Sequence, residues 1–424
     1  MLKKAVKKFL SVVLATAMVV SSITVYGASV KVPEDRVLTS VKEYSIAPGI
    51  KEKHITTVDK DGNNQVQAYM AEIDLKTSSV GMMAGYKNYD KTGKWGMQTV
   101  RDQAKAAEKA TGKTIVAAIN GDYFDMGTGQ PWGSLVMGGD IVQTQNDHPY
   151  FAIMKDGTAD CREAYEPLDD VVEAIGSPFF LVKDGKALEE LAADPYAMPR
   201  CAVGIKADGS VIIYEADGRQ APKSCGQSLY ETAKQMEAMG CVEALYLDGG
   251  GSATFATKTE GTDSLEVKNS PSDGTERKVS SSLFIYSDAK ADGEFDHATI
   301  SPLEEVYTPG STVQFEATGV DSAGGKADLP KEATFVLKDD SFGKIDGTTG
   351  QFVSNGTEGT VEVQLKSGDN VVGSTTIEVR KPDSITFVND EVNLGFEEET
   401  DLGLTVKWNN RQVNYADGDF IWTT

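Results

Sequence analysis

Short apolar runs separated by glycine-containing turns dominate the hydrophobic pattern, and stretches with helical spacing are few. Alternating positions over 54–58 and 65–73 predict two strands, with 59–64 as the hairpin turn between them. Apolar residues and alanines at helical spacing over 97–110, ending before Gly112, predict a helix. The run 114–119 reads as a buried strand. Four apolar runs, 151–154, 179–182, 201–205 and 211–214, each lead into Asp-Gly, the pattern of antiparallel hairpins. A second helix is expected over 227–239, with Leu229, Ala233, Met236 and Met239 near one face and Gly240 stopping it. It leads into a short buried strand at 245–247. A polar loop over 258–275 then precedes a last strand at 282–286. Beyond 288 the pattern holds only strands, at 312–315, 333–337, 360–365 and 374–379. The expected class is α+β: a mostly antiparallel, β-rich domain with a few helices, followed by all-β Ig-like sandwiches.

Composition divides this pattern into domains. Lys3, Lys4, Lys7 and Lys8 precede an apolar run at 9–20 that is short for a membrane span, and Val25 and Gly27 suit a cleavage site. Residues 1–27 therefore read as a secretion signal, which places the mature chain outside the cell or at its surface. Residues 28–45 read as a polar linker, 46–287 as the catalytic domain and 288–297 as a charged linker. An Ig-like sandwich is expected over 298–380, with the start of a second, incomplete one over 381–424. Loss of the four signal lysines takes the net charge from −23 to −27. Such a surface repels nucleic acid, and a site for an anion must bring its own local positive charge. Cys161, Cys201, Cys225 and Cys241 lack zinc spacing, and the three histidines are scattered. Bridges and buried thiols both remain open.

The candidate chemistry lies at two strand ends. Asp248-Gly249-Gly250-Gly251-Ser252-Ala253-Thr254 follows the apolar run 245–247, so a carboxylate stands beside glycine amides that can approach a ligand closely. Asn120-Gly121-Asp122-Tyr123-Phe124-Asp125 follows the run 114–119 and sets an amide and carboxylates beside aromatic rings, as sugar clefts do. Trp132 nearby can stack on a sugar. Arg200, at the start of a strand, and Arg277, near the close of the domain, are the candidate cations.

These motifs, in this order, resemble the phosphodiester glycosidase family over about 60–287. The family's Asn-Gly-Gly-Phe/Tyr-Phe stretch is matched at 120–124, its Pro-Arg-Thr-Ala-Ile-Gly at 199–204, its Asp-Gly-Gly-Gly-Ser-Ser/Ala-Thr at 248–254 and its late Arg-x-Val at 277–279. Asp122 stands where the family has glycine, and Cys201 where it has threonine. The resemblance implies hydrolysis of the sugar C1–O bond of a sugar-1-phosphodiester in an extracellular glycan. A phosphomonoester leaves readily, its second pKa being about 6, so neutralising the departing phosphate matters more than protonating it. On this reading Asp248, Asp122 and Arg200 are catalytic. Asn120, Gly121, Gly249, Gly250, Gly251, Ser252, Thr254 and Arg277 bind substrate. No cofactor is required, and a Ca2+ bridging Asp122, Asp125 or Asp248 to phosphate has no support from ligand spacing. The expected partner is a sugar phosphodiester or anionic glycan, with the Ig-like modules serving cell-wall association. Two alternatives stand beside it: a non-catalytic surface protein that binds anionic glycans, and a phosphodiesterase that cleaves P–O.

Overall fold

The computed structural model describes residues 30–144, 147–387 and 403–420. The expected secretion signal lies outside them. Among the described residues, no helix is long and apolar enough to cross a membrane.

Residues up to 287 form three antiparallel sheets around one core. An eight-stranded sheet runs in the order Arg36–Ala47, Ile50–Asp59, Val66–Ile73, Val211–Ala216, Arg200–Lys206, Cys241–Leu247, Phe180–Lys183, Lys186–Ala187. A five-stranded sheet faces it, with Thr114–Asn120 at its centre between Phe255–Thr257 and Ser281–Ser287. Another five-stranded sheet, centred on Val171–Gly176, closes one side. All three contribute to the same apolar core through Val203, Leu245, Leu247, Ile119, Leu283, Phe151 and Ile175.

Successive residues of the central strands face opposite layers. Val203, Leu245 and Leu247 point into the three-sheet core, whereas Ala202, Ala244 and Tyr246 pack under the helix Leu229–Ala238. This burial on both faces explains their unbroken apolar runs. Ser228 caps that helix through the reciprocal bonds of a capping box with Glu231. The other helix, Val100–Thr111, covers the outer face of the five-stranded sheet with Val100, Ala104 and Ala107, and ends at Gly112 in the left-handed conformation. These two helices and this antiparallel topology match the β-rich architecture expected.

Three expectations change. The linker expected over 28–45 is in large part the edge strand Arg36–Ala47, paired along its length with Ile50–Asp59. Polar, half-buried side chains such as Ser40, Lys42 and Glu43 interrupt its apolar positions, and this conceals the strand. The Asp-Gly at 217–218 closes no hairpin, because Val211–Ala216 pairs with Val66–Ile73 and Arg200–Lys206 and Asp217 is buried. In the C-terminal region, Glu305–Tyr307 pairs in parallel with both Asn370–Val379 and Arg411–Asn414. The division expected at 380 therefore crosses a continuous seven-stranded sheet. Three strands of that sheet carry a small core of their own at Val306, Val406 and Val413. All four cysteines are free thiols, three of them buried.

Candidate active site

Two strands from facing sheets, Thr114–Asn120 and Cys241–Leu247, end side by side. The Asp248 N–H donates to Gly121 O at 2.8 Å, and Asn120 Nδ2 donates to Asp248 O at 2.6 Å. Asn120 Oδ1 accepts from the Thr254 N–H at 2.9 Å and from Cys201 Sγ at 3.3 Å. Asn120 is fully buried. It was expected to hold substrate, but its side chain instead ties three chain segments together. Gly121 also has a bracing place, since its N–H donates to Ser281 O at 2.8 Å.

The glycine corner is less bare than the sequence suggests. The Gly250 N–H donates to Pro199 O at 2.9 Å, and the Gly249 N–H turns to the Asp248 carboxylate. Those two amides are therefore not free for phosphate oxygens. The glycines serve close packing instead. A Cβ on Gly251 would run into the Arg277 guanidinium. Gly250, at φ +60°, would bring a Cβ to 3.3 Å from Arg219 Nη2. Two guanidinium groups are thus bedded on adjacent glycines, and of the two Arg277 acts on the charge of Asp248. Arg277 Nη2 lies 2.7 Å from Asp273 Oδ2, and its Nη1 donates to Ser252 Oγ at 3.4 Å. Ser252 in turn hydrogen bonds to the Asp248 carboxylate. Thr254 is buried and donates to Ser252 O at 3.2 Å, within the turn.

Arg219 was missed by sequence reasoning, because Asp217-Gly218 reads as an ordinary turn and nothing local marks the next residue. It is exposed, adopts φ +61°, and forms no ion pair among the described residues. A non-glycine residue in the left-handed region is uncommon and often marks a functional constraint.

Arg200, expected as a catalytic clamp, is enclosed behind the corner. Its Nε donates to Gln227 O at 3.0 Å, Nη2 to Tyr196 O at 2.8 Å and Nη1 to Tyr246 Oη at 3.2 Å. Only 3% of its side chain is exposed, and Asp194 lies 3.8 Å away. Its donors face protein acceptors, so it braces the corner and Tyr246 rather than meeting a ligand.

Asp122 is likewise enclosed. Its Oδ1 accepts from the Tyr123 N–H at 2.7 Å and its Oδ2 from the Gly133 N–H at 2.6 Å, with the backbone of Gly176 packed against it. Burial, opposed by these hydrogen bonds and aided by the charge of Asp248, pushes its pKa up to about 7. Asp248 retains partial solvent access. Burial raises its pKa to about 6, while Ser252, Arg277 and the Gly249 amide pull the other way. Asp248 is therefore the open carboxylate and Asp122 the walled one. Asp125 stands apart in an exposed turn, accepting from Gly127, Thr128 and the Thr128 hydroxyl. Trp132 is 49% exposed, so it is no core residue, and it meets Tyr123 edge-on at 5.4 Å.

A second acid pair lies behind the site. Glu215 is fully buried, and burial with the charge of Asp217 holds its carboxyl well above the usual range. Asp217, pushed up to about 6 by burial, accepts from the Ser270 N–H at 2.9 Å. With Glu173 at about 7, again through burial, several carboxyls keep their protons to higher pH folded than unfolded. The folded chain binds more protons between about pH 4 and 7, so stability falls as pH rises through that window. Thermal melts should give a Tm lower by roughly 5 °C at pH 8 than at pH 5. A rise over that range would refute the assignment of these raised values.

Residues 113–286 match the family model described as phosphodiester glycosidase. The chain is 29% identical over 161 residues to the mouse N-acetylglucosamine-1-phosphodiester alpha-N-acetylglucosaminidase, covering 32% of this chain and 31% of that protein. It is 39% identical over 98 residues to the Bacillus subtilis SPbeta prophage-derived uncharacterized protein YomE, covering 23% of this chain and 14% of that one. The chain thus spans about a third or less of these curated relatives. Among solved structures, the catalytic domain of the zebrafish N-acetylglucosamine-1-phosphodiester alpha-N-acetylglucosaminidase aligns with TM-score 0.45 and 22% identity, covering 59% of this chain and 88% of that one. The family match starts at 113, yet Val66–Ile73 and Val80–Tyr86 are built into the same two sheets.

Proposed function

We propose, on the match of residues 113–286 to the phosphodiester glycosidase model, that this protein hydrolyses the C1–O bond of a sugar-1-phosphodiester. The observation that carries the reading is the open carboxylate of Asp248 within the field of Arg277, which is bedded on Gly251, with Arg219 against the neighbouring Gly250. The chain carries −23, so these cations are what makes the corner hospitable to a phosphate. Arg277 and Arg219 neutralise the leaving phosphate as charge develops on it. Asp248, ionised above about pH 6, stabilises the positive sugar centre or takes the proton from attacking water. Trp132 offers its exposed face to the sugar ring. Asp122, Arg200 and Asn120 position the corner from behind, and Asp122 keeps its place through the two backbone amides it holds.

The expected setting is outside the cell, supported by the lysine-led apolar segment at 1–27. The C-terminal strands act as a spacer or attachment module there.

The test is incubation of the purified chain with an alkyl diester of α-N-acetylglucosamine-1-phosphate in 18O water. Label in the released sugar supports the reading, and label in the phosphate replaces it with P–O cleavage. Absence of hydrolysis across a panel of glycosyl phosphodiesters, with measurable glycan binding, replaces it with a non-catalytic role. Replacing the exposed Arg219 should leave the melt unchanged. Arg219→Ala should raise KM about tenfold or lower kcat by a similar factor, since a charge-assisted contact to phosphate is lost. Unaltered kinetics would remove Arg219 from the site.

A further inference from the structure

A groove of about 780 Å3 lies between the edge strand Arg36–Ala47 and the C-terminal strands Glu305–Tyr307, Ser384–Phe387, Leu404–Trp408 and Arg411–Asn414. Its lining holds four cations, Lys42, Lys223, Lys407 and Arg411, against two carboxylates, Glu304 and Glu305. That balance is opposite to the chain's net charge of −23. One carboxylate is already neutralised, Glu305 by Lys42 at 3.3 Å. Lys223 and Lys407 form no ion pair among the described residues, which leaves the groove a net excess of unpaired cations.

Arg411 makes the groove more than a charged surface. It is 91% buried, being 9% exposed, and its one hydrogen-bond acceptor among the described residues is Glu304 O, 2.6 Å from Nη2. Among the described residues, none of its nitrogens is both sealed off from solvent and without a partner. A guanidinium has five N–H donors in a fixed fork, and Arg411 lines the groove, so a donor not held by Glu304 O is within a ligand's reach there. The rest of the wall is mainly hydroxyl and amide side chains, with the half-exposed Phe387 as an apolar face. Cations, hydroxyls and one aromatic face are the combination that recognises an acidic sugar.

The groove also shares a turn with the candidate active site. Gln220 and Ser224 bridge across the turn. Arg219, just before the turn, meets Gly250, and Pro222 and Lys223 within it line the groove.

We propose that this groove is a second binding site, for a chain of acidic sugars, separate from the hydrolytic centre. Binding there does not depend on turnover at Asp248, and it is measured without hydrolysis. The experiment is calorimetric titration of the full chain with a galacturonic acid hexasaccharide, its methyl-esterified neutral counterpart and hexaglutamate. Saturable binding of the acidic hexasaccharide alone is expected. Binding should weaken at least about tenfold in the Lys223→Ala, Lys407→Ala double variant, both lysines being outside the core, and should persist in Asp248→Asn. Arg411→Gln should weaken it further if that variant folds, as judged by its melt. No saturable binding, equal binding of hexaglutamate, or loss in Asp248→Asn with retention in the double lysine variant would each overturn the proposal.

Discussion

Asp248→Asn should abolish sugar release, lowering kcat by about 10³-fold with little change in KM, because an interaction made in the transition state is removed and ground-state contacts stay. The substitution keeps the shape of the side chain. The amide oxygen that replaces the carboxylate can still accept from Ser252 and from the Gly249 N–H, so the turn survives. The carboxyl already has a pKa raised to about 6 by burial, which means the fold gains little from its charge. The melt should therefore be unchanged or slightly improved. In the wild type, kcat should rise with pH through about 6 as Asp248 ionises, and that limb should vanish in the variant. Turnover within tenfold of wild type would remove Asp248 from the chemistry and leave the corner as a binding element.

How far the chain alone foretells this site follows from what each residue's neighbours are. The strand ends at 120 and 247 are legible because both strands are buried on two faces and their apolar runs stop abruptly at polar residues. The glycines at 249–251 are legible as a place of close approach, but not what approaches. Arg277 and Arg219 come from segments remote in sequence, and only the folded sheets bring them to Gly251 and Gly250. The same limit misassigns Asn120 and Asp122. Polar residues at a strand end look like ligand contacts, yet here their partners are backbone groups of Thr254, Asp248, Tyr123 and Gly133. The strand Arg36–Ala47 was hidden for a different reason. An edge strand with one solvated face carries Lys42, Glu43 and Ser45 among its apolar positions, which dilutes the alternation.

Arg200 distinguishes bracing from catalysis most sharply. A clamp on phosphate predicts that Arg200→Ala keeps the fold and loses the rate. The observed geometry predicts otherwise. Three donors that meet Gln227 O, Tyr196 O and Tyr246 Oη would be lost together, in a place closed to water. Breaking such a buried network costs about 3–5 kcal/mol. A clear drop in Tm is therefore expected. Lost rate would follow from movement of Tyr246 and Pro199, which pack against Gly249 and hold Gly250 in place. Arg200→Lys keeps the charge but not the fork, so it should recover part of the stability and little of the alignment. Urea melts beside kcat and KM for both variants decide the matter. A full loss of kcat in Arg200→Ala with an unshifted melt would return the guanidinium to the reacting phosphate.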